Sequence, residues 1–396
     1  MFQQAPLTFL IIMAATHGLY AEPFLRELKR QGHRVHVVTR ADALGYDWPR
    51  ELIDGLYAVP DIFDAAELRR AVCYLGRELR IDRVVGPGEY DVELAASLRE
   101  HLRLPGLGES AARFFRDKLA MRDGAHRGGV CVPAYTSLIH LPSVARFLAD
   151  APGPWVLKPR TEASSKGIQK LHEPGEVWDA IQALGDRASD HLLECYIAGD
   201  VYHVDGMVSE GRVLFAAAHR YGKPILDLHR DGGIYTTRRV RRGSETEKAL
   251  LAMHADVLKA LGLRDGVCHV EYIRGQDGRF YFLECGARVG AGLIDTMVEA
   301  ESGLNLWAEW ARLEVAQVRG SYAMPPVHDR HAGVLATVTP VEHPDPRPYL
   351  QAGVSHAAID KPYHLGLLVT HEDPDWVAAK LEELAWCVGV DYAQRA

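Results

Sequence analysis

Over the first hundred residues, short unbroken apolar runs alternate with stretches whose apolar residues recur at helical spacing. Leu7 to Met13 reads as a buried strand, Pro23 to Gln31 as an amphipathic helix, and Val35 to Val38, after Gly32, as a second strand. Ala65 to Leu79 reads as a further helix leading into strand Val84-Val85. Such alternation predicts a parallel sheet with crossover helices, a Rossmann-like α/β domain. The turn that follows, Gly86-Pro-Gly-Glu-Tyr90, lacks the GxGxxG spacing and reads better as a tight turn than as a dinucleotide site.

The texture changes after Pro105-Gly-Leu-Gly-Glu-Ser110, a linker with Ser110 placed to cap a basic helix over Ala111 to Arg122. Strands then follow at Trp155–Pro159, Leu192–Ile197, Val201–Val208 and Arg212–Ala218, the last two joined by the turn Glu210-Gly211. Hairpins of this kind predict a mostly antiparallel sheet, so the second part is α+β. The expected units are residues 1–110, then 111–330 with a small lid subdomain inside 111–197, then 331–396. This last unit holds strands Ala332–Val338 and Leu365–Val369 and helix Asp375–Trp386, and reads as a small α+β lid or association module with a structural His364.

A length of 396 residues calls for two to three domains, and a net charge of −8 without a basic cluster leaves no footprint for nucleic acid. A bound phosphate therefore needs a local site. The uncharged stretch Met1 to Ala21 has no basic leader and is broken by polar residues, which argues against a signal peptide or membrane span. Six cysteines without CxxC or metal-ligand spacing are expected to be reduced thiols of a cytoplasmic enzyme.

The richest segment is Gly266 to Arg288. Helix Thr246 to Leu261, closed by Gly262, precedes strand Val267-Cys-His-Val-Glu-Tyr-Ile273, turn Gly275-Gln-Asp-Gly278 and strand Phe280-Tyr-Phe-Leu-Glu-Cys285. A two-residue loop at Gln276 and Asp277 would set His269 opposite Glu284 and Glu271 opposite Phe282. Glu271 and Glu284 would then be diagonal neighbours roughly 7–8 Å apart at Cα. Two converging carboxylates repel unless a divalent cation lies between them, and hard oxygen donors favour Mg²⁺ or Mn²⁺. His269 is either a partner behind the ion or a simple neighbour. Taken alone, the pair is equally a solvated face of an edge hairpin; Arg288 and the glycine-rich exit Val289-Gly-Ala-Gly292 favour a site.

These residues resemble the ATP-grasp superfamily of carboxylate–amine ligases. Glu271 and Glu284-Cys-Gly-Ala-Arg288 resemble its metal-binding glutamates and its E-x-N-x-R motif, and the likeness runs from Phe114 to Arg288 and into the preceding domain. It is closest to stand-alone ligases that join amino acids or small acids in dipeptide and natural-product pathways. The resemblance implies that Lys118 and Lys158 contact ATP phosphates. It makes Glu162-Ala-Ser-Ser-Lys-Gly-Ile168 a mobile flap, with Ser164, Ser165, Lys166 and Gly167 over the phosphates. It sets Glu194 and the Tyr196 and Ile197 backbone at the purine edge, and Arg288 with Lys166 against charge developing on the reacting groups. By itself, each element has a plainer reading: Lys158 and Lys118 as surface lysines, and a flap that fails the G-x-x-x-x-G-K-[ST] pattern. Their order and spacing carry the case.

Three positions depart from the family pattern. Gly286 stands where the motif has Asn, Asp200 stands one position early for the glutamate expected to hold the ribose, and Lys166 occupies a flap position where small or apolar residues are usual. The implied reaction is attack of a substrate carboxylate on the γ-phosphate of ATP, then capture of the acyl phosphate by an amine, with ADP and phosphate released. Glu89, His203, Arg238, Arg239 and Gly290 are candidates for substrate contact, although His203 reads more readily as a satisfied histidine and Arg238-Arg239 as an exposed basic loop. The expected partners are a small carboxylate and a small amine, without nucleic acid or membrane, and a homodimer stays open. The rival readings are a biotin-carboxylase-like carboxylase and an ATP-binding regulator without catalysis.

Overall fold

The computed structural model describes residues 5–14, 20–163, 165–224, 228, 233–320 and 322–393. Strands β1 (Thr8–Met13), β2 (Arg34–Arg40), β3 (Gly55–Val59) and β4 (Arg83–Val85) form a parallel sheet in the order β3-β2-β1-β4. β1 is buried along its whole length, as expected of a central parallel strand covered on both faces. One face, with Leu10, Ile12 and Val84, packs on Ala95 and Leu98 of helix Asp91–Leu102. On the other, Phe9 and Ile11 join Phe24 of helix Glu22–Arg30, whose ring meets Trp310 of helix Leu306–Arg319 edge-on at 5.3 Å. The first domain is thereby cemented to the second.

The helix expected at Ala111 to Arg122 is broken. A short helix, Glu109–Ala112, passes through a 3-10 turn to Arg116, which leaves helical geometry at φ −137°, and a new helix runs Lys118–Arg127. The cap of the new helix is Asp117, which accepts from the Leu119 and Ala120 amides, while Ser110 caps nothing. The interruption turns Arg116 towards the first domain and sets Lys118 and Arg122, one turn apart, on one helix face.

A small antiparallel sheet in the order β5-β8-β6-β7 follows, from β5 (Tyr135–Ser137), β6 (Trp155–Pro159), β7 (Gln169–Leu171) and β8 (His191–Cys195). Among the described residues the main sheet has eight strands. β9 (Gly199–Ser209), β10 (Arg212–Tyr221), β11 (Tyr235–Arg239), β12 (Gly266–Gly275), β13 (Phe280–Gly286), β14 (His331–Val338), β15 (Val354–His356) and β16 (His364–His371) are arranged 13-12-9-10-11-14-16-15. Residues from 331 onward thus extend this sheet, β14 pairing with β11, and helix Pro374–Ala393 covers the extension with Val377, Leu381 and Leu384. Helix Glu245–Leu261 starts with a reciprocal cap, Ser244 Oγ accepting from the Glu247 amide and Glu247 Oε2 from the Gly243 amide. It ends at Gly262 with φ +78°, as the sequence pattern predicts. All six cysteines are free, and no described helix is long and apolar enough to cross a membrane.

Candidate functional site

The β12–β13 hairpin does not have the register that a two-residue loop would set. Gly275 pairs with Arg279 across the three residues Gln276 to Gly278, Gly278 at φ +80°. A bulge at Leu283 then shifts the ladder again, so that Glu271 stands directly opposite Glu284 and His269 opposite Gly286. Two contacts from upstream segments hold the bulge: the Phe282 amide donates to the Cys131 carbonyl at 2.9 Å, and the Leu283 carbonyl accepts from Arg122 Nη1. The carboxylates are therefore closer than the diagonal arrangement would place them, about 4.5–5.5 Å at Cα for a directly facing pair.

Facing like charges need counter-charge. Lys118 Nζ lies 3.1 Å from Glu284 Oε2 and donates to the Glu162 carbonyl at 2.6 Å. Burial pushes the Glu284 carboxyl up, but Lys118, then Lys158 and Arg288, outweigh it and hold the group down at about 2. Glu271 Oε1 accepts from the Tyr221 hydroxyl at 2.8 Å and sits 3.6 Å from His269 Nε2. Such a set of partly exposed carboxylate oxygens suits a hard divalent cation.

These groups line one cavity of about 470 Å³. Its wall includes Lys118, Lys158, Glu162, Ser165, Lys166, Glu194, Tyr196, Ile197, Glu271, Glu284 and Arg288. Lys158 is buried against Glu194, and Arg122 Nε stands 2.5 Å from Glu194 Oε1 in an ion pair not aligned as a hydrogen bond. Burial lowers the Lys158 ammonium to about 8 despite Glu194. The adjacent cations hold Glu194 ionised against its own burial, Arg122 first and then Lys158. Of the two amides expected at the purine edge, that of Tyr196 donates to the Pro154 carbonyl at 2.9 Å and is engaged, whereas the Ile197 amide has no backbone partner among the described residues. At the flap, Lys166 is exposed, 3.7 Å from Glu162; Gly167, at φ +73°, packs by Pro159 outside the cavity wall; Ser164 lies outside the described residues.

Several expected residues do not reach the cavity. Strand alternation turns Val201 into it and Asp200 out to solvent, where it pairs with Arg220 at 2.9 Å. His203 is fully buried, with Nδ1 donating to Asp205 at 2.6 Å and Nε2 meeting Thr237 Oγ1 at 2.7 Å, and burial lowers it to about 3, keeping it neutral. Asp205 also accepts from His269 Nδ1 at 2.9 Å. Ligand atoms of His203, Asp205 and His269 lie within 4.8 Å of one another, and these hydrogen bonds account for the grouping. His269 does line the cavity; burial pulls it down, but Asp205 chiefly raises it to about 9. Arg239 is buried, donating to the Arg330 carbonyl at 3.1 Å beside Glu301, and Arg238 is on the opposite face near Arg220. Gly290 lies beneath His269: a Cβ there would come within 2.6 Å of Asp205 Oδ1. Those rings need the glycine to pack.

Glu89 is not on the cavity wall itself but meets Arg288 of that wall from the first domain. Its turn is drawn tight by Asp91, which accepts from the Ala14 and Gly88 amides at 2.8 Å, and Gly86 approaches the Asp91 carbonyl too closely for a Cβ. Glu89 Oε2 accepts from Arg288 Nε and Oε1 from Arg116 Nη1, each at 2.5 Å, and Arg116 also donates to the Thr161 carbonyl at the flap base. The wall further includes Tyr221, Tyr235 and Leu283, and Arg116 and Arg122 pack behind it; none of these five was expected as a site residue. The helical spacing of Arg122 from Lys118 was the available signal.

A family model described as the ATP-grasp domain matches residues 151–297. The L-arginine-specific L-amino acid ligase of Bacillus subtilis is 21% identical over 269 residues, 66% of this chain and 64% of that protein. A D-alanine–D-alanine ligase of Pseudomonas fluorescens is 27% identical over 190 residues, 47% of this chain and 57% of the ligase. The chain thus spans less than two thirds of the length of either relative. The crystal structure of an L-amino acid ligase from Bacillus licheniformis matches with a TM-score of 0.72 and 20% identity over 96% of each chain, which shows a shared fold. The matched segment, residues 151–297, is an ATP-grasp domain, and it carries the opposed glutamates, Lys158 and Glu194 on its strands.

Proposed function

We propose that the protein is an ATP-dependent carboxylate–amine ligase that forms an amide or peptide bond between small molecules, an amino acid among them, and releases ADP and phosphate. The observation that carries this reading is the convergence of Glu271, Glu284, Lys118, Lys158 and Arg288, from four separate segments, on one cavity. In this reading the Ile197 amide and Glu194 meet the purine, and Lys158 and Lys118 meet the phosphates as point charges. Glu271 and Glu284 would hold Mg²⁺ or Mn²⁺; the oxygen donor set fits, and the bound ion would offset phosphate charge.

The protein mainly positions groups and offsets charge. Arg288 meets the substrate carboxylate and, after phosphate transfer, the oxyanion formed as the amine attacks the acyl phosphate. Ser165 and Lys166 close over the phosphates and exclude water, which would otherwise hydrolyse that intermediate. Lys118 donates to the flap carbonyl of Glu162 and so ties flap position to Glu284. ADP release would be followed with ATP and Mg²⁺ across a matrix of amino acids and small carboxylic acids. Release should require both an acid and an amine and fall by about 10²-fold or more in Glu284→Ala. Release without an acid, or undiminished in that variant, would refute the ligase reading.

A further inference from the structure

The structure suggests what replaces the missing Asn of the E-x-N-x-R motif. A Cβ built on Gly286 would lie 3.3 Å from Glu89 Oε2 and 3.3 Å from Arg288 Cγ. The space into which an Asn side chain would grow is therefore taken by a carboxylate oxygen brought from the first domain. We propose that Glu89 is a third carboxylate ligand of the metal centre, standing in from the first domain for the amide oxygen that Gly286 lacks.

The surrounding geometry favours this role. Gly286 is two residues from Glu284 and faces His269, so the Glu89 oxygen borders the same end of the hairpin as the glutamate pair. Each Glu89 oxygen accepts one arginine hydrogen bond, leaving further lone pairs for a cation. Glu89 remains ionised although burial opposes it, because Arg288 and then Arg116 hold it low. A carboxylate in place of an amide adds one negative charge, and Arg116 and Arg288 supply its balance while no cation is bound. The centre would then be complete only with the two domains together. Gly286 is required for this arrangement, since any side chain there would contest the space of the Glu89–Arg288 pair.

This inference rests on the nucleotide-binding part of the proposed function but not on turnover, so its test reads metal binding. Mn²⁺ affinity would be measured by electron paramagnetic resonance with a non-hydrolysable ATP analogue, for the wild type, Glu89→Ala, and Glu89→Ala combined with Gly286→Asn. Mn²⁺ should bind the wild type and be weakened at least ~10-fold in Glu89→Ala, the lower end of what even an indirect metal contact contributes. The double variant should regain affinity, because Asn supplies an oxygen donor once the Glu89 side chain no longer fills the space. A wild type that binds no Mn²⁺, or Glu89→Ala that binds it at unchanged affinity, would overturn the proposal. So would weakening with no recovery in the double variant, the result of a purely structural Glu89. An inactive protein that shows the expected Mn²⁺ pattern would refute the ligase reading and leave this one standing.

Discussion

Replacing Glu194 with Gln should uncouple Lys158 from the carboxylate it contacts without changing side-chain size. Lys158, Glu194 and Arg122 have side-chain exposures of 9%, 3% and 0%, so solvent cannot compensate. The Lys158 ammonium lies at about 8 in place of 10.5, equivalent to about 3 kcal/mol against its charged form, even with Glu194 beside it. In Glu194→Gln the burial cost remains and the Coulombic support goes, so Lys158 is neutral near pH 7 before nucleotide binds. Removing one member of a buried pair costs about 3–5 kcal/mol of stability, and part of this would be met by discharge of the lysine. Because the folded value lies below the unfolded one, stability rises as pH climbs from 8 towards 10.5 in the wild type; in the variant the window opens lower. Calorimetric titration with a non-hydrolysable ATP analogue, in buffers of different ionisation enthalpy, reads the consequence. The wild type should take up almost no proton for Lys158 at pH 6.5 and close to one at pH 9. Glu194→Gln should already take up about one at pH 7 and bind at least ~10-fold more weakly, each 1.4 kcal/mol being tenfold. Unchanged affinity and proton uptake at pH 7 in Glu194→Gln would refute the reasoning.

Two further outcomes follow from backbone geometry. Gly199→Ala places a Cβ 1.9 Å from the Arg274 carbonyl, a contact with backbone that only strand displacement relieves; β9 should detach from the end of β12 next to Ile197, and nucleotide affinity should fall with the melting temperature. Asp117→Ala removes the cap of helix Lys118–Arg127 and the partner of Arg160, costing about 1–2 kcal/mol in chemical denaturation. It should also weaken nucleotide binding through Lys118; a loss of stability with full nucleotide affinity would argue against Lys118 as a phosphate contact.

Local pattern carries much of this protein. The apolar run Leu7 to Met13 and the closing Gly262 each follow from interactions within a few residues, and the strands that bear Lys158, Glu194, Glu271 and Glu284 are likewise legible in the sequence. What fails is whatever depends on a distant partner. The register that sets Glu271 against Glu284 rests on a bulge held by Cys131 and Arg122, more than 140 residues upstream. The helix broken at Arg116 reflects that arginine's reach to Glu89 and Thr161. His203 and Arg239 have the chemistry of site residues, yet Asp205, Thr237 and Glu301 engage them away from the cavity. The sequence by itself determined the elements and the inventory of charged groups, because spacing and capping are local. Tertiary structure alone decided which charges face each other, because a buried charge goes where its counter-charge is, and here the counter-charges come from other segments and, for Arg288, from another domain.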